Sequence, residues 1–353
     1  MIRIMLASSA LALLGACGDG QPFPEPATTG GTTTDTTNTT DTTAGDGGTL
    51  DTGGATPPPP GTDSPEPDKA IFRYEAANGS GGGLVTDVSY NKANDTFTVD
   101  NLGFDGANVY KRNAAPLNTL GVTRVFAADG SVDDFLTGKP VGQVVPYRAL
   151  YGVSKFQVDG EPRTSFAVVR TGGYVDYGFG GYVYERNGGV TIPTTGQATF
   201  AGDYAGMRVF QARGGMEYTT GDMTVDIDFE DFNANDAVKG RITNRRAFDE
   251  NGVAVTLSTA DGQLQLPTVL FVIQEGATSL DANGEIQANM SSTIVNAEGA
   301  LETYETGTFN GIMAGDTRNG QGGEIVGVIT LESDDPRWDG VKAQETGGVI
   351  LYR

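Results

Sequence analysis

From Ile71 onward, apolar and polar residues alternate with period two in short runs. "TFTVDNLGF", 96–104, sets Phe97 and Val99 against Thr96, Thr98 and Asp100. "TVDIDF" places Val225, Ile227 and Phe229 on one face and Thr224, Asp226 and Asp228 on the other. "SFAVVRTGGYVDYGFGGYVYERNGG", "AVKGRITNRRAF", "QLQLPTVLFVIQ", "GTFNGIMAG", "EIVGVITLES" and "GGVILYR" continue the pattern, broken by glycine pairs. Asn251-Gly252, Asp261-Gly262 and Asn283-Gly284 supply hairpin turns. The only helical candidates are "AVVRTG" and "GSVDDFLTG". Short, evenly spaced strands predict an all-β antiparallel barrel or sandwich. Transmembrane barrels alternate as well, with the apolar face outward. Here the strands are few for 71–353, glycines rather than aromatic girdles interrupt them, and a soluble barrel with a packed apolar interior is expected.

The first 68 residues have a different pattern. "MIRIMLASSALALLGACGDG" carries a positive Arg3 and an apolar run, Ile4 to Leu14, too short to span a bilayer. Leu14-Gly15-Ala16-Cys17 closely resembles the bacterial lipoprotein signal, and Cys17 is the only cysteine of the chain. The resemblance implies removal of 1–16 and acylation of Cys17, with the lipid bilayer as a partner. Two or three chains, at ~0.8 kcal/mol per buried methylene, anchor permanently. Gly18 rather than an acid follows Cys17, which favours the outer membrane of the cell envelope. Residues 17–68 are Thr, Gly, Pro and Asp with almost nothing to bury, so a disordered tether is expected. Flexible-coil scaling puts its ends roughly 40 Å apart.

Chemistry narrows the function by exclusion. The chain has 353 residues, 23 Lys plus Arg against 45 Asp plus Glu, a net charge of −22, and no His. That charge argues against nucleic acid as a partner. Lack of His removes Ser-His-Asp and Cys-His catalysis and imidazole metal sites. No nucleophile motif or cofactor fingerprint is present. The reading is therefore of a non-enzyme without cofactor, catalytic or metal residues. A carboxylate-dependent glycosidase is the remaining enzymatic alternative. "MTVDIDFEDF", 223–232, is the densest acidic stretch, but Asp226, Asp228 and Glu230 at i, i+2, i+4 lie on the face opposite the apolar residues and are expected in water, with Asp231 beside them. "DANGE", 281–285, lacks the acids of a calcium loop and reads as a turn. "GSGGG", 79–83, lacks the Lys-Ser/Thr of a phosphate loop. The single Trp338 would either plug a barrel end or serve recognition.

"IPTTGQATFAGDYAGMRVF", 192–210, resembles the entry to the C-terminal barrel of transferrin-binding protein B-like surface lipoproteins, through Pro193, Gly196, Ala198, Phe200 and Gly202. "GTFNGIMAGDTRNGQGGEIVGVITL" resembles a late motif of that family through Gly307, Phe309, Gly311, Gly323 and Gly327. The resemblance implies an eight-stranded filled barrel over 196–353 and a β-rich handle-like region over 69–195. It assigns no ligand, since one barrel can carry many functions. The expected function is a cell-envelope lipoprotein that binds an unknown protein or solute through its loops. A purely structural envelope lipoprotein would have a similar sequence.

Overall fold

The computed structural model of the chain describes residues 57–353 except 101, 103–108, 135, 143–145, 173–175, 231–237, 260–261, 274–279, 297, 319 and 321. Cys17, most of the tether and Asp231 lie outside the described residues. Among the described residues there is no helix. Both helical candidates are strand instead: "AVVR" belongs to Thr164–Arg170, and Ser131–Asp133 pairs with Pro140–Gly142. Val168 and Val169 are β-branched and buried on opposite faces of their strand, an arrangement a pleated sheet accommodates.

The first sheet is built on β1 (Ile71–Tyr74), β2 (Val88–Asn91), β3 (Thr96–Val99), β4 (Val109–Arg112), β5 (Thr123–Ala127), β6 (Arg148–Val153), β7 (Thr164–Arg170) and β8 (Gly180–Arg186). Their spatial order is β1-β8-β7-β6-β5-β4-β3-β2, a curled open sheet. The second unit comprises β9 (Gln197–Phe210), β10 (Arg213–Asp228), β11 (Val238–Phe248), β12 (Val269–Ile273), β13 (Glu285–Val295), β14 (Leu301–Asp316), β15 (Glu324–Asp334) and β16 (Lys342–Tyr352). Each strand pairs antiparallel with the next, and β16 pairs back onto β9, so the meander closes into an eight-stranded barrel. Closure joins the two ends of the meander, so no barrel strand is a terminal edge strand.

The barrel is filled. Phe200, Val225, Ile227, Phe229, Phe271, Phe309, Ile325 and Leu351 belong to one internal cluster. The face predicted for Val225, Ile227 and Phe229 is therefore the inner one. Phe309 explains two of the motif glycines. Gly311 and Gly327 face each other across β14 and β15, and an added Cβ would lie 2.8 Å and 2.5 Å from the Phe309 ring. The two glycines form the trough in which the ring lies.

The sheet packs on the outside of the barrel through a second cluster, in which Phe166, Val168 and Tyr184 meet Met207, Val326, Val328 and Ile350. β15 is thus buried on both faces, which its near-continuous apolar run "IVGVITL" reflects. Gly348 permits the contact, because a Cβ there would stand 2.2 Å from the Phe166 ring. Charged side chains cross the same junction. Arg73 donates to both oxygens of Glu285 at 2.7 Å, and Arg170, paired with Glu75 of its own unit at 2.9 Å, donates to Thr346 of β16 at 3.0 Å.

Residues 57–68, expected in the disordered tether, are held against the sheet. Gly61 bridges Arg73, the Tyr74 amide donates to the Pro60 carbonyl at 3.0 Å, and the Arg186 guanidinium donates to the Glu66 and Lys69 carbonyls. Residues 57–68 are held on the edge of β1 by backbone groups and two buried arginines, Arg73 and Arg186, partners that composition does not reveal.

Candidate functional site

The acidic strand resolves into three different situations. Asp226 is half-exposed and accepts from the Thr199 hydroxyl at 2.6 Å. Glu230 is exposed. Asp228, expected in water, is only 6 % exposed and accepts from Gln197 at 2.8 Å and from the Glu230 amide at 3.0 Å. Its strand ends there, so the carboxylate folds back to satisfy local donors rather than projecting outward. Among the described residues no group of three or more His, Cys, Asp or Glu is arranged to hold a metal ion. Substituting Asp226 with Asn should change stability by no more than roughly half a kcal/mol. A melting curve with and without added calcium checks this, and a calcium-dependent loss would show that the strand holds a cation.

"DANGE" is a turn. Asp281 accepts from the amides of Asn283 and Glu285, both at 2.9 Å, and Gly284 takes φ +86°. "GSGGG" is likewise organised from within, Asn78 accepting from the Ser80 and Gly82 amides.

The charged chemistry lies inside one end of the barrel. Arg208 on β9, Glu217 on β10, Arg245 on β11, Glu305 on β14 and Glu345 on β16 are all buried there. Arg245 holds Glu305 in a fork, Nη1 to Oε2 at 2.6 Å and Nη2 to Oε1 at 3.0 Å, and reaches Glu345 at 3.0 Å. The Tyr204 and Thr219 hydroxyls donate to Glu345 at 2.6 Å and 2.9 Å, and Ser292 donates to Glu305 at 2.8 Å. Arg208 stands at ion-pair rather than hydrogen-bond distance, 3.5 Å from Glu217, 3.8 Å from Asp335 and 3.7 Å from Glu345. The loop after β15 closes this end. Arg337 donates to Glu217 at 2.5 Å and to Asp335 at 2.7 Å. Half-buried Trp338 meets Phe210 edge-on at 5.0 Å and lies against the guanidiniums of Arg213 and Arg337, 3.7 Å and 4.2 Å away. Trp338 thus sits at a barrel end, as the plug reading requires.

Burial alone would raise the Glu305 carboxyl. Arg245 and Arg208, with the Ser292 hydroxyl, outweigh it and hold the group below its ordinary 4.5. Burial would raise Asp335 too, but Arg337 holds it below 3.8. Glu324 is the opposite case, its burial outweighing the charges of Arg163 and Lys155. Buried between sheet and barrel, it accepts from Ser154 at 2.6 Å and Thr164 at 3.2 Å, and burial raises it above 4.5. Lowered groups stabilise the fold above their unfolded values and lose that contribution as pH falls through the folded ones, whereas a raised group destabilises the fold until it protonates. Stability should therefore rise as pH falls toward 4.5 through the raised Glu324 group, then drop below 4.5 as Glu305 and Asp335 approach protonation. Thermal melts across that range check it, and Glu324→Gln should flatten the acid-side rise.

A cleft of 1160 Å³ opens on the barrel wall beside this end. Asp203, Asp222, Asn244, Arg246, Thr256 and Leu266 are among its lining residues, and Gly121 from the sheet's loops lies at its edge. It exists because β11 is irregular. Pairing with β10 shifts register between Thr220 and Asp222. Asn244 takes φ +53°, held by its donation to Asp222 at 2.6 Å. The bulge flips the parity of the strand. Val238 and Ile242 point inward, and Arg245 rather than Asn244 or Arg246 continues that face. Sequence reasoning missed both the cleft and the ionic layer. Alternation on β16 does place Glu345 on the face of Val349 and Leu351, but no such count finds Arg245 across a bulge.

No protein-family model and no curated protein matches the chain. Solved structures of transferrin-binding protein B are similar to it. The vaccine antigen from Haemophilus parasuis Hp5, as a double mutant, is 12% identical with a TM-score of 0.34, covering 77% of this chain and 46% of that one. Its single mutant gives 12% and 0.35 over the same shares. Intact Ap-TbpB, with N and C lobes, gives 12% and 0.33, over 81% and 52%. The chain spans about half the length of these structures. The likeness is distant and at the level of the fold.

Proposed function

We propose that the protein is a lipid-anchored binding protein of the bacterial cell envelope, on the outer membrane, whose head engages a protein partner through the cleft between the sheet's loops and β11. One observation carries the anchor: the chain's only cysteine stands at Cys17, directly after an apolar run and small residues. The spacer that follows, Thr-, Gly- and Pro-rich with its acids unrelieved by Lys or Arg until Lys69, suits a head held away from the bilayer. Lack of histidine supports binding rather than catalysis. The cleft supplies acids, amides and hydroxyls beside apolar Val255, Leu257 and Leu266, a lining suited to a polypeptide.

Cells producing the wild type and Cys17→Ser, labelled with an alkyne fatty acid and fractionated, test the anchor. Label and membrane association are expected in the wild type and absent in the variant. Equal labelling of both would refute it.

A further inference from the structure

β11 has a gap in its pairing. Its ladder with β12 ends at Ile242↔Val269. Pairing on β11 resumes only at Ala247↔Val255. Between these, on the edge of β11 away from β10, residues 243–246 pair with no described strand. The chain that would have continued β12 backward is diverted at Pro267, whose carbonyl instead accepts from Arg245 at 2.9 Å, and Leu257–Thr259 and Gly262–Leu264 pair with each other. The cleft lies over this interruption, with Asn244, Arg245 and Arg246 on one side and Gln265 and Leu266 on the other.

We propose that Thr243–Arg246 accept an extended, basic segment of a partner protein as an added β-strand. The inference rests on the binding role proposed above and names the chemistry of its partner. Four residues of strand span roughly 13 Å at 3.3 Å each, enough for a short run of main-chain bonds. The walls differ in character. Asp203 and Asp222 offer carboxylates, and half-buried Val255 offers apolar surface above the buried Leu257 and Leu266. Arg246 is the only cation with an exposed side chain among the lining residues, because Arg245 is occupied by Glu305 and Glu345. At a net charge of −22 the whole molecule attracts a cationic segment as well. Exposed valines stand at the rim, Val122 at 74 % and Val253 at 62 % exposure, each adjoining a lining residue, Gly121 and Ala254. The left-handed Asn244 fits the same picture, since bulges re-aim a strand where pairing stops.

The test uses the detergent-solubilised full chain and a fluorescein-labelled decapeptide of alternating lysine and valine. Saturable binding is expected, weakened about tenfold or more when glutamate replaces lysine and when alternate peptide amides are N-methylated, which removes ladder donors. Thr256→Arg, which places a cation in the cleft from an exposed position, should weaken it to a similar degree. Hydrogen exchange at 243–246 should slow when the peptide is added. No saturable binding, equal binding of the N-methylated peptide, or unchanged exchange at 243–246 would overturn the proposal. None of these outcomes bears on acylation of Cys17, so failure here and failure of the anchor are read separately.

Discussion

Replacing Arg245 with methionine is expected to destabilise the fold by about 3–5 kcal/mol, the usual cost of removing one partner from a buried ion pair. Methionine fills much of the volume, so the loss is electrostatic. Glu305 and Glu345 would keep Ser292, Tyr204 and Thr219 as donors but lose the guanidinium between them. The layer also sets three guanidiniums, Arg208, Arg245 and Arg337, against four carboxylates, Glu217, Glu305, Glu345 and Asp335. It already carries an excess of negative charge when fully ionised, and removing Arg245 adds to it. A denaturant titration measures the loss. The defect should shrink at acid pH, where Glu305 in the variant can protonate without giving up an arginine. A loss below 1 kcal/mol, or one independent of pH, would contradict this account of the barrel's charged end. Such layers do not have to add stability over an apolar filling. The arrangement fixes which residues of β9, β10, β11, β14 and β16 face inward together, a register device that apolar residues of similar size would not supply.

Arg186→Met should have an effect of the same size through a different mechanism. Arg186 is fully buried where sheet, barrel and N-terminal segment meet. It donates to the carbonyls of Glu66, Lys69 and Gly188 and, across the junction, to Asn283 at 2.7 Å and Met313 at 2.9 Å. Burial lowers its pKa to about 10, yet the group stays charged at neutral pH. Each buried carbonyl left without a donor costs about 1–3 kcal/mol, so a total of about 3–5 kcal/mol is expected after partial relaxation. Lysine should rescue little, having three donors on a point charge where a planar fork serves five carbonyls. Limited proteolysis distinguishes this site from Arg245. Loss of Arg186 should expose residues 57–68 to cleavage first, and protection of that segment in the variant would contradict the role assigned to it.

Much of the fold was legible in the sequence because period-two alternation depends only on which face is dry. Val225, Ile227 and Phe229 could be assigned to one face from their spacing, and the motif glycines fell where Phe309 needs room. The failures have physical causes. Asp228 has the parity of a solvent-facing residue, but it sits at a strand end where Gln197 and a local amide capture it. Residues 57–68 have the composition of a disordered segment, yet Arg73 and Arg186 hold them, the second from more than a hundred residues away in the chain. The cleft depends on one left-handed asparagine and one proline that diverts a strand. Neither residue is unusual enough in sequence to mark a missing stretch of pairing.

The direct test of a binding role for the cleft is a photo-cross-linker placed at Thr256 in the full-length protein in cells, with Thr306, exposed and outside the cleft lining, as the control. The account predicts partner adducts from Thr256 that are absent from Thr306. The same adducts from both positions, or none from Thr256, would contradict it.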